Sequence, residues 1–205
     1  VGYLVNNAIG YLEDDMPRMV KTPWFEEEIP FEQAAEIGTK KVIQEHSTIG
    51  ILVTTDGSIT DIPREDYVQA EERVVKELKD LNKPFVIVLN SDDPFSDYTK
   101  NLAMELEEKY QTSVIPTDCS RLDMEDINDI FGKILYEFPI EKMNINFPKW
   151  VDGLPDSHWL KEELYSEIKD AFNNIHILKQ VDNGVAKLQN TKIINQTAID
   201  EIKLG

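Results

Sequence analysis

An α/β fold with a parallel sheet is what this chain predicts, on three observations. The run over 49–53, Ile-Gly-Ile-Leu-Val, is continuously apolar, rich in β-branched residues and soon followed by the Asp56-Gly57 turn signal. That is the pattern of a strand buried on both faces, so it is expected at the centre of the sheet. Pro84-Phe-Val-Ile-Val-Leu-Asn90 has the same character, and Ser113-Val-Ile-Pro116 is a shorter version. The segments between these runs carry helical periodicity, so strands and helices alternate and the strands should run in one direction.

Taken in order, 1–29 mixes Gly, Asn, Pro and acidic residues without a steady period and is expected to be a long functional loop. The first helix is expected over 30–45, where Pro30 suits a first turn and Phe31, Ala34, Ala35, Gly38 and Val42 form one stripe. A second is expected over 64–81, with Tyr67, Ala70, Val74, Leu78 and Leu81 inward and 82–84 as its stop. A third over 96–110 spaces Leu102, Leu106 and Tyr110 by four. The fourth has the clearest start, because Asp123 can cap while Asp126 sits at the reciprocal position, and it should bury Ile127, Phe131, Ile134, Leu135 and Phe138 before stopping at Pro139.

From Ile140 the pattern changes. Met143, Ile145 and Phe147 alternate with Lys142, Asn144 and Asn146, as in a half-buried edge strand. The stretch 148–155 reads as a linker, with Trp150 and Trp159 expected to cover the seam between two modules. A fifth helix is expected over 157–178, carrying Leu160, Leu164, Ile168, Phe172 and Ile175. The polar tail over 181–205, with couplets such as Ile193-Ile194, reads as the start of another domain.

Composition narrows the function. At 205 residues, 41% hydrophobic and 29% charged, the chain can bury one good core and part of a second. A net charge of -18 argues against a nucleic-acid surface, which needs clustered Lys and Arg. No apolar stretch approaches bilayer-spanning length. The one cysteine, Cys119, cannot form an internal disulfide, and no signal peptide is visible, so a reducing cytoplasm is expected. The opening Val-Gly-Tyr, in what reads as structure, suggests a piece of a longer protein.

In parallel sheets ligands sit beyond the carboxyl ends of the strands. Those ends carry Thr54-Thr55-Asp56-Gly57, Asn90-Ser91-Asp92-Asp93 and Thr117-Asp118-Cys119-Ser120, three polar clusters expected on one rim. In purine-binding P-loop folds an Asn-Lys-x-Asp turn offers an amide that pins adjoining loops and a carboxylate that accepts from guanine nitrogens. Asn90 and Asp93 match that spacing, with Ser91 in place of the Lys. Asn, Ser and Asp are also ordinary turn and capping residues, and both readings stay open, as they do for Cys119 and Ser120. Thr54, Thr55 and Asp56 can serve phosphate or Mg²⁺ only beside a phosphate cradle. No Gly-x-x-x-x-Gly-Lys-Ser/Thr occurs in the chain. His46, placed at the end of the first helix, and His158 and His176, placed on the fifth, form no catalytic or metal constellation.

The stretch from Gly10-Tyr-Leu-Glu-Asp-Asp-Met-Pro-Arg through Gln44-Glu-His-Ser-Thr-Ile-Gly50, with Thr54-Thr-Asp-Gly57, Ala70-Glu-Glu-Arg-Val74, Leu135-Tyr-Glu-Phe-Pro139 and His158-Trp-Leu160, closely resembles the stage IV sporulation protein A family, spore-coat morphogenetic ATPases of endospore formers. The resemblance implies a P-loop domain of the translation-factor-related GTPase class that hydrolyses ATP to drive self-polymerisation on the forespore surface. Residues 1–139 would be the C-terminal part of that domain, and 140–205 the start of an α+β middle domain. Gly2 would be the glycine of the Asp-x-x-Gly switch, facing the γ-phosphate. Asn90, Ser91, Asp93, Cys119 and Ser120 would line the base side. ATP and Mg²⁺ are the implied cofactors, held mainly by residues preceding Val1, so this piece alone is expected to be inactive. Implied partners are further copies of the protein and other spore-coat and forespore-membrane-associated proteins, on the mother-cell cytoplasmic side. Two rival readings are a structural assembly module with a vestigial site and a regulatory GTPase. Lacking its first strand, the sheet would expose an edge, where dimerisation or strand exchange is expected.

Overall fold

The computed structural model describes residues 4–6, 8–14, 16–189 and 203–204. It divides into two compact units, Val1–Ile134 and Leu135–Gly205.

The first unit opens with two short antiparallel ribbons where a loop was expected: β1 (Leu12–Glu13) pairs with β2 (Met16–Pro17), and β3 (Met19–Val20) with β4 (Ile29–Pro30). Two-residue strands carry too few alternating positions to show a period in sequence. Helix α1 (Phe31–Lys41) follows Pro30, and Val42–His46 completes it as a π turn that contains His46.

Strand β5 (Gly50–Thr55), helix α2 (Arg64–Asp80), β6 (Phe85–Asn90), α3 (Asp97–Tyr110) and β7 (Val114–Thr117) then build the predicted α/β core. The sheet is parallel, in the order β5-β6-β7. Among the described residues the strand expected at the centre therefore lies at an edge, and β6 holds the middle. Burial shows why: Phe85 to Leu89 are all buried, whereas Ile51 and Val53 are 45% and 57% exposed. Among the described residues β5 has one strand neighbour, and a run of uniformly apolar residues does not reveal how many neighbours a strand has.

Phe85, Ile87 and Leu89 pack with Val75 and Leu78 of α2 and with Ala103, Leu106 and Tyr110 of α3. Of the predicted stripe of α2, Leu78 is buried and Tyr67, Ala70, Val74 and Leu81 are half-buried, while Glu71 and Val75, one position on from Ala70 and Val74, are buried. Asn82, in the left-handed region at φ +50°, ends α2 as expected. Ser96 caps α3 through Thr99 N (3.1 Å).

Helix α4 (Met124–Tyr136) starts with the expected reciprocal cap. Asp123 Oδ1 accepts from Glu125 N and Asp126 N at 2.8 and 3.0 Å, and Asp126 Oδ2 accepts from Asp123 N at 3.1 Å. Its buried residues are Ile130 and Ile134, while Ile127, Phe131 and Leu135 are exposed and Phe138 lies beyond the helix. The apolar arc is wider than the surface that covers it, so the expected face is only partly buried.

In the second unit β8 is Ile140–Lys142, pairing antiparallel with Lys203–Leu204 (β9), while 143–148 is irregular. The alternating pattern over 142–147 therefore overlaps a strand only at Lys142. The expected linker contains a short helix, α5 (Lys149–Asp152), and the long fifth helix is shorter, α6 (Trp159–Phe172). His158 caps α6 by accepting from Leu160 N at its Nδ1 (3.2 Å), and His176 lies beyond the helix, with its N–H donated to Gln180 Oε1 (2.8 Å). Trp150 and Trp159 are 59% and 65% exposed. Part of the tail is helical, α7 (Val181–Gln189), and Ile193-Ile194 lies outside the described residues.

Helices α6 and α7 meet through Gly184, where an added Cβ would sit 2.4 Å from Ile175 Cδ1 and 2.6 Å from Phe172 Cε1. Gly184→Ala should therefore destabilise the second unit by about 1–3 kcal/mol, outweighing the roughly 1 kcal/mol helix-propensity gain. Thermal unfolding checks this, and a raised melting temperature would refute the close packing.

Candidate functional site

The carboxyl ends of β5, β6 and β7 lie side by side, because their register pairs Thr55 with Asn90 and Asn90 with Thr117. Asn90 Oδ1 accepts from Cys119 N at 2.9 Å, across 29 residues of sequence, and Ser91 N donates to Thr117 O at 3.0 Å. The loops after β6 and β7 are thus pinned together by the Asn90 side chain.

The other predicted residues are placed as follows. Ser91 is fully buried and turned inward, its Oγ accepting from Asp93 N at 3.1 Å and lying 3.2 Å from Thr99 Oγ1. Asp93 is exposed. Cys119 is half-buried, and burial pushes its thiol pKa up, with Asp118 adding to the shift. Such a thiol is a poor nucleophile. Ser120 is exposed, and its N–H and Oγ donate to Asp118 Oδ1 at 2.9 and 2.6 Å. Those bonds, with help from Arg121, hold the Asp118 carboxyl below the usual carboxylate range. Gly2 lies outside the described residues.

One group the sequence reading left idle organises the rim. Asp56, at the end of β5, is 7% exposed. Its Oδ1 accepts from Ser58 N (2.9 Å) and Ser58 Oγ (2.6 Å), and its Oδ2 accepts from Thr99 Oγ1 (2.9 Å) on α3. Ser58 Oγ in turn accepts from Asp92 N at 3.0 Å. With the Thr99 hydrogen committed to Asp56, the contacts of Thr99 Oγ1 with Ser91 and Ser96 are ones in which it accepts. Burial works to raise the Asp56 pKa, but the hydrogen bonds from Ser58 and Thr99, with the Ser91 hydroxyl nearby, reverse this and hold it below the usual carboxylate range. The sequence signal was Asp-Gly-Ser at a strand end, a local turn motif; its long-range bond to Thr99 has no signature.

A groove of about 490 Å³ opens along β5, lined by residues such as Ile49, Ile51, Val53 and Val74, and Asn90, Asp93 and Cys119 are not among its lining residues. With Oδ1 engaged, Asn90 can offer a ligand its amide hydrogens, and Asp93 offers an exposed acceptor. These complement the edge of a purine. No group of three or more His, Cys, Asp or Glu side chains that could hold a metal ion occurs among the described residues. Nor is any helix among them long and apolar enough to cross a membrane.

Residues 1–139 match the family model described as the ATPase domain of stage IV sporulation protein A, and residues 140–205 match its middle domain. Over all 205 residues the chain is 44% identical to stage IV sporulation protein A of Clostridioides difficile (strain 630), 44% to that of Bacillus subtilis (strain 168) and 43% to that of Bacillus anthracis. It spans 42% of the length of each. No solved structure matches the chain. With family models covering it from end to end, the chain belongs to the stage IV sporulation protein A family, a sporulation family with an ATPase domain.

Proposed function

We propose that this chain supplies the base side of an ATP-hydrolysing domain of the P-loop, translation-factor-related class, in a protein that uses ATP to assemble itself into the basement layer of the spore coat. The observation that carries this reading is the Asn90 Oδ1 to Cys119 N bond. It fixes two loops at the carboxyl ends of neighbouring parallel strands, where nucleotides bind in open α/β sheets. In this reading Asn90 donates to the base, Asp93 accepts from its exocyclic amino group, and Cys119 and Ser120 border the ring. Ser91, being buried, holds the turn and does not touch the base. An acceptor at Asp93 serves adenine or guanine, since both bases carry an exocyclic amino group.

The phosphate grip belongs to other residues, because the 205 residues contain no Gly-x-x-x-x-Gly-Lys-Ser/Thr. The chain alone should therefore hydrolyse no ATP. Mg²⁺ would accompany the phosphates, and no residue here is assigned to it. Partners would be further copies of the protein and coat or forespore-membrane-associated proteins, on the mother-cell cytoplasmic side of the forespore.

The test is Asn90→Ala in the full-length polypeptide, prepared at the length of its relatives. Losing both the pin and the base contact should lower kcat/KM for ATP about ten-fold or more. Wild-type turnover in a folded Asn90→Ala protein would defeat the reading. Polymer formation that persists without any hydrolysis would favour a structural module with a vestigial site.

A further inference from the structure

We infer that Asp56 is a positioning residue for nucleotide affinity, setting the place of the base-side turn from the end of the neighbouring strand. The inference rests on the base-side reading above and adds to it a residue that touches no ligand. Three elements converge on this one carboxylate. Its own loop supplies Ser58, helix α3 supplies Thr99, and through Ser58 Oγ the carboxylate reaches Asp92 N in the turn between Asn90 and Asp93. Thr99 extends the set to Ser91 and to the α3 cap, Ser96. Asp93 is exposed and is held through its backbone, its N–H donating to Ser91 Oγ and its carbonyl accepting from Ser96 N, so its position follows the α3 cap and, on its N-terminal side, Asp92 and Ser91. The last two are tied to Asp56, one through Ser58 and the other through Thr99.

The chemistry favours a carboxylate over any neutral residue. Asp56 accepts three hydrogen bonds, and an ionised acceptor makes these shorter and stronger than an amide would. An Asn would present one oxygen and one donor group, so either Ser58 or Thr99 would face a second donor. The turn would then shift relative to Asn90, whose own bond to Cys119 does not involve Asp56.

The experiment compares Asp56→Asn, Ser58→Ala and Asn90→Ala in the full-length polypeptide, with steady-state hydrolysis of ATP and GTP and thermal unfolding as a check of folding. Asp56→Asn should raise KM for ATP about ten-fold, the loss of roughly one charge-assisted hydrogen bond. Its kcat should stay within about two-fold of wild type, since the phosphate grip lies elsewhere. Ser58→Ala, at an exposed residue whose loss should not unfold the protein, should raise KM in the same direction and by less. A KM unchanged in both variants, while Asn90→Ala raises it, would overturn the role of Asp56 and leave the base-side reading standing. A fall in kcat at constant KM would also overturn it. If Asn90→Ala leaves KM unchanged as well, the base-side reading fails and this inference falls with it.

Discussion

Replacing Glu71 by Ala should destabilise the first unit by about 3–5 kcal/mol, the cost of breaking a buried ion pair from one side. Arg64 Nη2 lies 2.9 Å from each Glu71 oxygen, and Tyr110 OH donates to Oε1 at 2.7 Å. The side chains of Glu71 and Arg64 are only 1% and 11% exposed, and Arg64 Nε and Nη1 are buried without other hydrogen-bond partners. Removing the carboxylate would leave a guanidinium charge in the interior with nothing to offset it. Replacing both partners by Met should cost much less, because two apolar side chains carry no desolvation penalty. The pair also predicts an alkaline effect. Burial pushes the Tyr110 phenol well above its usual value, and Glu71 adds to the shift. A group with a raised folded value contributes stability that is complete below its unfolded value and lost above it. Unfolding should therefore become easier above pH of about 10, and less so in Glu71→Ala. Urea titrations at neutral and alkaline pH check both points. A loss under about 1 kcal/mol in Glu71→Ala would show that Arg64 reaches water.

Asp56 carries the opposite sign. Its folded value lies below the usual one, so the stability it contributes is present above the unfolded value and lost as pH falls through the folded one. The rim and the Arg64–Glu71–Tyr110 cluster thus weaken at opposite ends of the pH scale, and an acid titration of Asp56→Asn should separate them.

How much of this was legible in the sequence depended on whether the signal was local. Helices α2, α3 and α4 were placed to within two residues, because a stripe of apolar residues and a capping residue both lie inside the helix itself. The parallel direction followed from alternation of strand and helix. The order of strands did not, since which neighbour covers Ile51 and Val53 is a property of the rest of the fold. The same limit explains Glu71, a charged residue on the buried face of α2, whose partner Tyr110 is 39 residues away. Asn90 and Cys119 could be placed together because strand ends in a parallel sheet share a rim, and the bond between them joins the two loops. Asp56 was set aside because the only role weighed for it, phosphate or Mg²⁺ contact, needs a phosphate cradle that the sequence lacks.

Leu89→Ala should cost about 2–5 kcal/mol, and the same substitution should disturb the rim next to it. Leu89 is 0% exposed on the central strand, packed within the cluster formed with α2 and α3, so truncation loses both transfer free energy and the contacts around the cavity left behind. Its register partners are Thr54 on β5 and Pro116 on β7, each one residue before the strand ends that carry the site. Collapse of the sheet into that cavity would move Asn90 relative to Cys119, whereas a rigid sheet would keep the cavity and leave the pin intact. The two responses are separable by measuring the melting temperature alongside KM for ATP in the full-length polypeptide. A stability loss with unchanged KM means the three strands hold their ends against a void beneath them. A raised KM at temperatures well below the transition means the core of β6 sets the geometry of the base-side turn. A stability loss under about 1 kcal/mol would contradict the packing itself, since a side chain sealed between two helices has no solvent to fall back on.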